Sequence, residues 1–269
     1  MLKKLFKYEF RWMLGKMLIA WIAVLGLGVV CCLTGLIAEL FSDAIAKSSF
    51  LTAIFMTGTV SIFALLSFAE AISFVFCFII SATRFYRNLY SSEGYFTLCT
   101  PAKPREHVMC KMLTTVCFLA MTAVVCSVAT LISQARSGFG IIENIGDALK
   151  DIFSRPLGWL YAIETAIGFA AIVFFAISEG YLAVSFGQAF KNRVVGAVVC
   201  YFIIGFVIQT AFSILFAVYI ELAIAVSGPV SGNAFVHLTI WLAILCVSGL
   251  AVGSYAIVIN RLGHKLNLE

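Results

Sequence analysis

The segment Met17–Ala38 has the sequence MLIAWIAVLGLGVVCCLTGLIA and contains no charged side chain. A helix needs roughly 20 residues to cross the ~30 Å hydrocarbon core of a bilayer. The segment is long enough and apolar enough to meet that requirement. It therefore predicts a transmembrane helix.

Five further apolar stretches of similar length follow along the chain. Hydrophobic residues make up 62% of the sequence and charged residues 12%, which is more apolar surface than a soluble core can bury. The connections are too short for a separate folded domain, so we predict one transmembrane domain over residues 1–269. The fold class expected is an all-α polytopic membrane protein with six transmembrane helices. The other five predicted spans are Ile54–Ser81, Val108–Ser133, Trp159–Glu179, Val194–Ile220 and His237–Asn260.

The distribution of Lys and Arg predicts that both termini lie in the cytoplasm. Six crossings place the termini and the second and fourth connections on one side, and basic residues are retained on the cytoplasmic side. The net charge of +5 is then explained by topology and by anionic inner-leaflet lipid, and no nucleic-acid partner is predicted. The predicted inner side contains Lys3, Lys4, Lys7, Arg11, Lys16, Arg84, Arg87, Lys103, Arg105, Lys111, Lys191, Arg193, Arg261 and Lys265, and the outer side Lys47, Arg136, Lys150 and Arg155.

The segment Leu2–Met13 predicts a basic amphipathic helix at the membrane interface. Its apolar side would contain Leu2, Leu5, Phe6, Phe10, Trp12 and Met13, and its basic residues Lys3, Lys4, Lys7 and Arg11 would face away. A helix of this kind lies in the headgroup plane. We favour this interpretation over a plain basic flank of the first span.

No catalytic, cofactor or metal site is indicated by the sequence. It lacks a G-x-x-x-x-G-K-[ST] phosphate loop, an H-E-x-x-H zinc helix and a G-x-S-x-G nucleophile elbow. Its three histidines, His107, His237 and His264, lie far apart, and its nine cysteines include no C-x-x-C pair. The chain is therefore predicted not to be an enzyme, and an energised function would require a separate subunit.

The connection between the second and third spans is the most distinctive part of the sequence. It contains Arg84–Tyr90 (RFYRNLY), Ser91–Pro101 (SSEGYFTLCTP) and Ala102–His107 (AKPREH). Two of the four prolines lie here and stiffen the backbone. An acid, aromatic residues and turns without a catalytic set suit a protein–protein contact. For Arg84, Arg87 and Tyr90, anchoring of the span at the lipid headgroups is an equal alternative.

The run EGYFTLCTP, Glu93–Pro101, resembles the coupling loop of permease subunits of ATP-binding-cassette (ABC) exporters, closest to the type-2 class of Gram-positive bacteria. Two weaker matches accompany it. LFKYEFR, Leu5–Arg11, resembles the interfacial elbow helix of that family. FGQAFKNR, Phe186–Arg193, is similar to its turn between spans four and five.

The resemblance implies a permease subunit that couples ATP hydrolysis by a separate cytosolic ATPase to substrate export across the bacterial plasma membrane. ATP and Mg²⁺ would be bound by that ATPase and not by this chain. The other implied partners are a second permease, identical or different, and membrane lipid. The implied ATPase-docking residues are Tyr90, Glu93, Gly94, Tyr95, Thr97, Pro101 and Arg105, with a second contact at Gln188, Lys191 and Arg193.

A second hypothesis comes from a different class of protein. The chain would then be an integral membrane binding or regulatory protein, such as an immunity or assembly factor, that works without an ATPase. An integral membrane enzyme is the third class, and it would need a clustered polar set that the predicted spans do not supply.

Three polar residues are predicted to lie inside the membrane. Glu70, near the middle of the second span, is either a proton-sensitive group lining a pathway or a protonated acid that hydrogen-bonds between helices. Glu164 lies near the outer end of the fourth span and is expected to snorkel towards water. Gln209 in the fifth span is expected to make an interhelical hydrogen bond rather than to bind substrate.

Two short sequence patterns concern helix packing and internal repetition. Gly249 and Gly253 form a G-x-x-x-G face in the sixth span, which indicates close helix packing either within the bundle or across a dimer, and we favour packing within the bundle. The tetrapeptide SEGY occurs at Ser92–Tyr95 and again at Ser178–Tyr181. Such a repeat can mark two related halves of a transporter, but we attribute it to the biased composition.

Overall fold

Six long helices account for most of the chain. A computed structural model describes residues 2–41, 48–91, 93–94, 99, 103–134, 146–147, 150, 153–154, 158–227 and 233–264. These residues contain no β-strand, and each long helix is apolar enough to cross a membrane, which confirms the predicted all-α fold with six candidate spans. The helices are α1 (Leu2–Leu40), α2 (Ser49–Tyr90), α3 (Pro104–Ser133), α4 (Gly158–Gly187), α5 (Arg193–Ser227) and α6 (Asn233–His264).

The N-terminal segment Leu2–Met13 is the first part of α1, which continues to Leu40 without a break. The basic residues of this segment are exposed, whereas Met13 is buried and the Phe10 ring lies 4.8 Å from that of Phe118 in α3. Part of its apolar side therefore contacts protein. The segment is helical as predicted, but it is continuous with the first span.

Helix α2 extends beyond the predicted end of its span. The segment Arg84–Tyr90, expected to belong to a loop, is helical, and α3 begins at Pro104. Phe85 and Leu89 are completely buried, so this turn of helix is stabilised by packing rather than by lipid. The connection between α2 and α3 is thus shortened to residues 91–103, which we call loop 91–103.

Local capping explains where α3 and α5 begin. The Lys103 backbone N–H donates to Glu106 Oε2 at 3.2 Å, which is half of a capping box, and Pro104 occupies the first helical position that proline favours. At α5, the Val195 N–H donates to Asn192 Oδ1 at 3.5 Å, so Asn192 acts as the N-cap.

The contacts divide the chain into two compact units. The α1–α3 unit contains Lys3–Ser81 and Leu113–Arg155. The α4–α6 unit contains Met1–Leu2, Ala82–Met112 and Pro156–Glu269. The boundary falls within α2 and α3 rather than at a linker.

Two buried clusters form the core of the α1–α3 unit. In the first, Trp21 stacks on Phe118 with ring centroids 5.9 Å apart, and its indole N–H donates to Thr122 Oγ1 at 3.1 Å. A hydrogen bond between the Ser81 and Thr115 hydroxyl groups joins α2 to α3 in the same unit. Burial of these aromatic rings contributes to the packing energy of this unit. The first cluster contains Met13, Met17, Trp21, Cys77, Ile80 and Phe118, and the second Val24, Cys31, Leu66, Cys126 and Ala129.

Gly28 sets the closest approach of α1 to α3. A Cβ at this position would lie 2.8 Å from the carbonyl oxygen of Ala129 and 3.2 Å from its Cα. Those atoms belong to helix backbone and have little freedom to move aside. Only glycine permits this contact, as small residues do at close helix–helix interfaces in membranes.

We predict that Gly28→Ala destabilises the protein, because the added methyl group must separate α1 from α3. Overpacking of this kind costs about 1–3 kcal/mol. The matched control is Gly26→Ala, since a Cβ at Gly26 would meet no atom within 4 Å. Thermal unfolding of both variants in detergent measures the difference, and equal melting temperatures would contradict the close approach.

Helix α4 is the centre of the α4–α6 unit and packs against both α5 and α6. Every residue from Ile177 to Ser185 is buried. At the end of α4, a Cβ at Gly187 would lie 2.5 Å from the backbone nitrogen of Ala197. The turn into α5 is therefore tight.

The outer surface of the helices is apolar. No residue is buried in the most apolar stretch of α5. The surface of that stretch is therefore available to lipid or to another chain. A Cβ at Gly249 or Gly253 in α6 would meet no atom within 4 Å. The predicted packing of this G-x-x-x-G face inside the bundle is therefore wrong for the described residues.

Candidate functional site

The end of α2 is fastened to α4. The rings of Phe85 and Tyr181 stack with centroids 4.1 Å apart and planes 3° from parallel. Five residues later, the Tyr90 hydroxyl donates to Ser185 Oγ at 2.9 Å, and both side chains are buried. The last two turns of α2 therefore have a fixed position on α4.

Arg261 ties α6 to the same part of α4. Its Nη1 donates to the Ser185 carbonyl at 3.3 Å, and its guanidinium carbon lies 3.8 Å from the centre of the Phe186 ring. A cation over an aromatic face adds to the hydrogen bond. Ser185 thus receives contacts from α2 through its side chain and from α6 through its backbone.

The start of α3 is held by α6. The Tyr255 hydroxyl donates to the Arg105 carbonyl at 3.5 Å and lies 4.0 Å from the Met109 sulfur. In the first turns of α3, His107, Val108, Cys110, Lys111 and Met112 are buried. Both ends of loop 91–103 are therefore anchored within the α4–α6 unit.

Glu93 lies in loop 91–103 between two arginines from the last turns of α2. Its Oε1 is 3.3 Å from Arg87 Nη2, and its Oε2 is 4.0 Å from Arg84 Nη1. The side chains of Glu93 and Arg87 are about half exposed, so these pairs contribute at most about 1 kcal/mol. Their main effect is to orient an acidic group at the surface.

The structure assigns different settings to the residues expected to dock an ATPase. Tyr90 is buried against Ser185, so its side chain belongs to the anchor and not to an exposed surface. Gly94 is also buried, and its N–H donates to the Ser91 carbonyl at 2.7 Å in a tight turn.

Among the other residues expected to dock an ATPase, Glu93 is half-exposed and Arg105 is exposed. Tyr95, Thr97 and Pro101 lie outside the described residues.

The expected second contact forms the turn between α4 and α5. Gln188 is half-buried, and its Nε2 donates to the Val184 carbonyl at 3.1 Å. Lys191 is exposed and Arg193 half-exposed. Together with Tyr86, Asn192 and Val194 they line an open groove of about 530 Å³. The turn therefore presents a basic surface.

Glu70 is joined to α3 inside the α1–α3 unit. The Thr130 hydroxyl lies 2.9 Å from Glu70 Oε1, where it donates to the carboxyl group. The same hydroxyl lies 3.0 Å from the Cys126 carbonyl. This contact matches the helix-bridging alternative for Glu70, in which the acid hydrogen-bonds between helices.

Glu164 does not snorkel, contrary to our expectation. Its side chain is completely buried, and both carboxylate oxygens lie 2.8–2.9 Å from His237 Nδ1 in α6. With two acceptor oxygens facing one nitrogen, the imidazole N–H is the donor. The Tyr161 ring covers the imidazole at 4.2 Å. The partner, His237, lies 73 residues away and was not identifiable from the local sequence.

Gln209 does not make the predicted interhelical hydrogen bond to any described residue, and it is exposed. It lines a groove between α4 and α5 that also contains Glu179. Sequence reasoning missed Glu179, because it lies at the predicted end of a span within the second SEGY. A signal was present, since an acid at an inner span position is uncommon.

We predict that His237→Ala destabilises the protein by about 3–5 kcal/mol, because it leaves the buried Glu164 carboxylate without its donor. The double variant Glu164→Met/His237→Phe, which removes both polar groups, is expected to unfold closer to wild type. Thermal or denaturant unfolding of Glu164→Met, His237→Phe and the double variant gives the coupling energy. Additive effects would contradict a direct pair.

No group of three or more potential metal ligands among His, Cys, Asp and Glu occurs within the described part of the chain. Comparison of the chain with protein-family models, with curated proteins and with solved structures found no match.

Proposed function

We propose that the chain is the permease subunit of an ABC exporter, in which loop 91–103 receives a cytosolic ATPase. The resemblance of Glu93–Pro101 to a coupling loop suggested this function. The main structural support is the anchoring of the loop at both ends, through Tyr90 to Ser185 and through Arg105 to Tyr255. A loop anchored at both ends can transmit a displacement to the helices that hold it.

The contacts of α4 suggest how such a displacement would spread. Displacement of loop 91–103 would move the end of α2 and would act on α4 through the Phe85–Tyr181 stack and the Tyr90 hydroxyl. Because Arg261 also contacts Ser185, α4 and α6 would move together with the end of α2. Packed elements of this kind shift between discrete arrangements rather than bend continuously. ATP-driven closure of the ATPase would select between them.

The exposed chemistry of the loop suits a protein partner. Glu93 offers a carboxylate held between Arg84 and Arg87, so a docking partner meets an oriented acid flanked by two cations. Such an arrangement favours specificity and orientation over raw affinity. Lys191 and Arg193, in the turn between α4 and α5, supply a second basic surface.

The proposal includes a topology in which both termini, loop 91–103 and the turn at residues 188–192 face the cytoplasm of a bacterial cell. The excess of basic residues on that side supports it. The exposed Lys and Arg side chains of Leu2–Met13 would contact anionic headgroups, as an interfacial extension of α1. ATP and Mg²⁺ would bind on the ATPase, and a second permease would complete the exporter.

We predict that the tagged chain, purified from its native membranes, retains an ABC ATPase and Mg²⁺-dependent ATP hydrolysis. Glu93→Ala should reduce both by at least about tenfold, since it removes the oriented acid of the docking surface. Asp147→Ala is the matched control, because Asp147 also forms an exposed ion pair, with Lys150 at 3.2 Å, in the connection between α3 and α4. Asp147→Ala should change neither the amount of ATPase retained nor the rate of ATP hydrolysis.

Two results would contradict the proposal. The first is the absence of any ATPase from the wild-type preparation, even after chemical cross-linking in the membrane. The second is equal loss of ATPase in Glu93→Ala and Asp147→Ala. The first result would favour the alternative of a membrane binding or regulatory protein that works without ATP.

We predict that Cys99, an exposed free thiol in loop 91–103, is protected from a membrane-impermeant maleimide in intact cells and labelled in inside-out vesicles. Cys99→Ser gives the background from the other cysteines. The reporter Asp147→Cys, built on Cys99→Ser, should show the opposite pattern, because α3 separates the two positions. Labelling of Cys99 in intact cells would invert the topology and remove the docking surface from the cytoplasm.

A further inference from the structure

A groove of about 690 Å³ lies between α4 and α5 within the α4–α6 unit. Its walls are mostly aromatic and apolar, and they include three polar groups: the Glu179 carboxyl group, the Gln209 amide and the Tyr201 hydroxyl. No Lys, Arg or His is found among the described residues of its lining. The residues that define it are Phe175, Glu179, Tyr201, Phe202, Phe206 and Gln209.

Glu179 is the unusual member of this lining. Its side chain is only 7% exposed. No hydrogen bond or ion pair among the described residues involves its carboxyl group. It lies about two turns before the end of α4, in a helix long and apolar enough to span the membrane. Burying an unpaired acid in a membrane-spanning helix costs free energy. Such residues therefore point to a functional site.

Gly205 of α5 leaves the space that the Glu179 carboxyl group occupies. A Cβ at Gly205 would lie 2.9 Å from Glu179 Oε1, so glycine is needed for the acid to occupy its present position. Because both residues line the groove, the carboxyl group is directed to its surface. The acid is therefore accommodated by the backbone of α5 and lacks only a counter-ion.

The surrounding rings determine which counter-ion fits. Phe202 and Phe206 line the groove and are exposed, and aromatic faces attract cations, most strongly where water is excluded. A divalent metal ion would require several oxygen ligands, whereas the groove supplies one carboxyl group, one amide and the Tyr201 hydroxyl. An anion would be repelled by Glu179. A singly charged organic cation with an apolar body would pair with the Glu179 carboxylate and pack against the aromatic rings.

We propose that this groove binds a lipophilic organic cation, with the Glu179 carboxylate as its counter-ion and the aromatic side chains as its walls. A lipid acyl chain or a second copy of the helix face would cover the rings but leave the acid unpaired, so charge complementarity favours the cation. The proposal does not depend on the proposed transport function, because binding is a property of this chain alone.

The test uses the full-length chain in nanodiscs of zwitterionic phosphatidylcholine, with tetraphenylphosphonium as the cation and triphenylphosphine oxide as a neutral aromatic control. Equilibrium dialysis should show saturable binding of the cation. Glu179→Gln, which keeps the size of the side chain, should weaken that binding by at least about tenfold. The neutral compound should not compete.

A matched pair of glycine variants tests the geometry. Gly205→Ala should weaken cation binding, because the added methyl group displaces the Glu179 carboxyl group. Gly253→Ala makes the same change on α6, where a Cβ meets no atom within 4 Å, and should bind like wild type. Absence of saturable binding, equal binding by Glu179→Gln, or equal competition by the neutral compound would overturn the proposal.

A measurement on the wild-type chain keeps the test valid if a variant fails to fold. Dicyclohexylcarbodiimide modifies carboxyl groups in membranes, and mass spectrometry locates the modified residue. Tetraphenylphosphonium should protect Glu179 and leave any modification of Glu70 unchanged. Modification of Glu179 that is indifferent to the cation would overturn the proposal, whatever the variants show. An absent ATPase would leave this result unaffected, so the two proposals fail separately.

Discussion

The hydrocarbon core of a bilayer contains no water to satisfy polar groups, and the rest of this structure depends on that constraint. The backbone meets it by forming helices. Hydroxyl side chains such as Thr57 and Thr210 meet it by donating to a carbonyl one turn earlier in the same helix. Larger polar groups meet it through partners on other helices: Trp21 with Thr122, Glu70 with Thr130, and Glu164 with His237. Glu179 is the informative exception, because it faces a groove without a partner among the described residues.

Helix α4 shows how this constraint produces a mechanical connection. Its continuous buried stretch from Ile177 to Ser185 receives the end of α2 through a stacked ring and a hydroxyl hydrogen bond. Arg261 of α6 reaches the backbone of the same stretch. A polar contact in a site with little water is difficult to exchange, so these elements are expected to move as a group. The polar contacts that satisfy buried groups are also those that would transmit motion from loop 91–103.

The existence of the six helices was more predictable than the residues at which they begin and end. All six spans were predictable, because each apolar stretch exceeds the length of a soluble helix core. The limits were less predictable. The segment Arg84–Tyr90 has the composition of a headgroup anchor, yet Phe85 and Leu89 pack against other helices and extend α2. In the candidate site, Glu93 and Arg105 were identified as surface groups, whereas Tyr90 is buried. Hydropathy does not distinguish an apolar residue that meets lipid from one that meets protein.

The sequence by itself determined the number of helices, the all-α class and the unusual composition of the loop between the second and third spans. These follow from local properties, since apolar length and turn residues act within a few positions along the chain. Only the tertiary structure decided the partners of the polar residues: His237 for Glu164, Thr130 for Glu70, and an open groove for Glu179. Such pairings join positions far apart in the chain. They depend on helix rotation and close approach, which residues such as Gly28 and Gly205 control through the absence of a side chain.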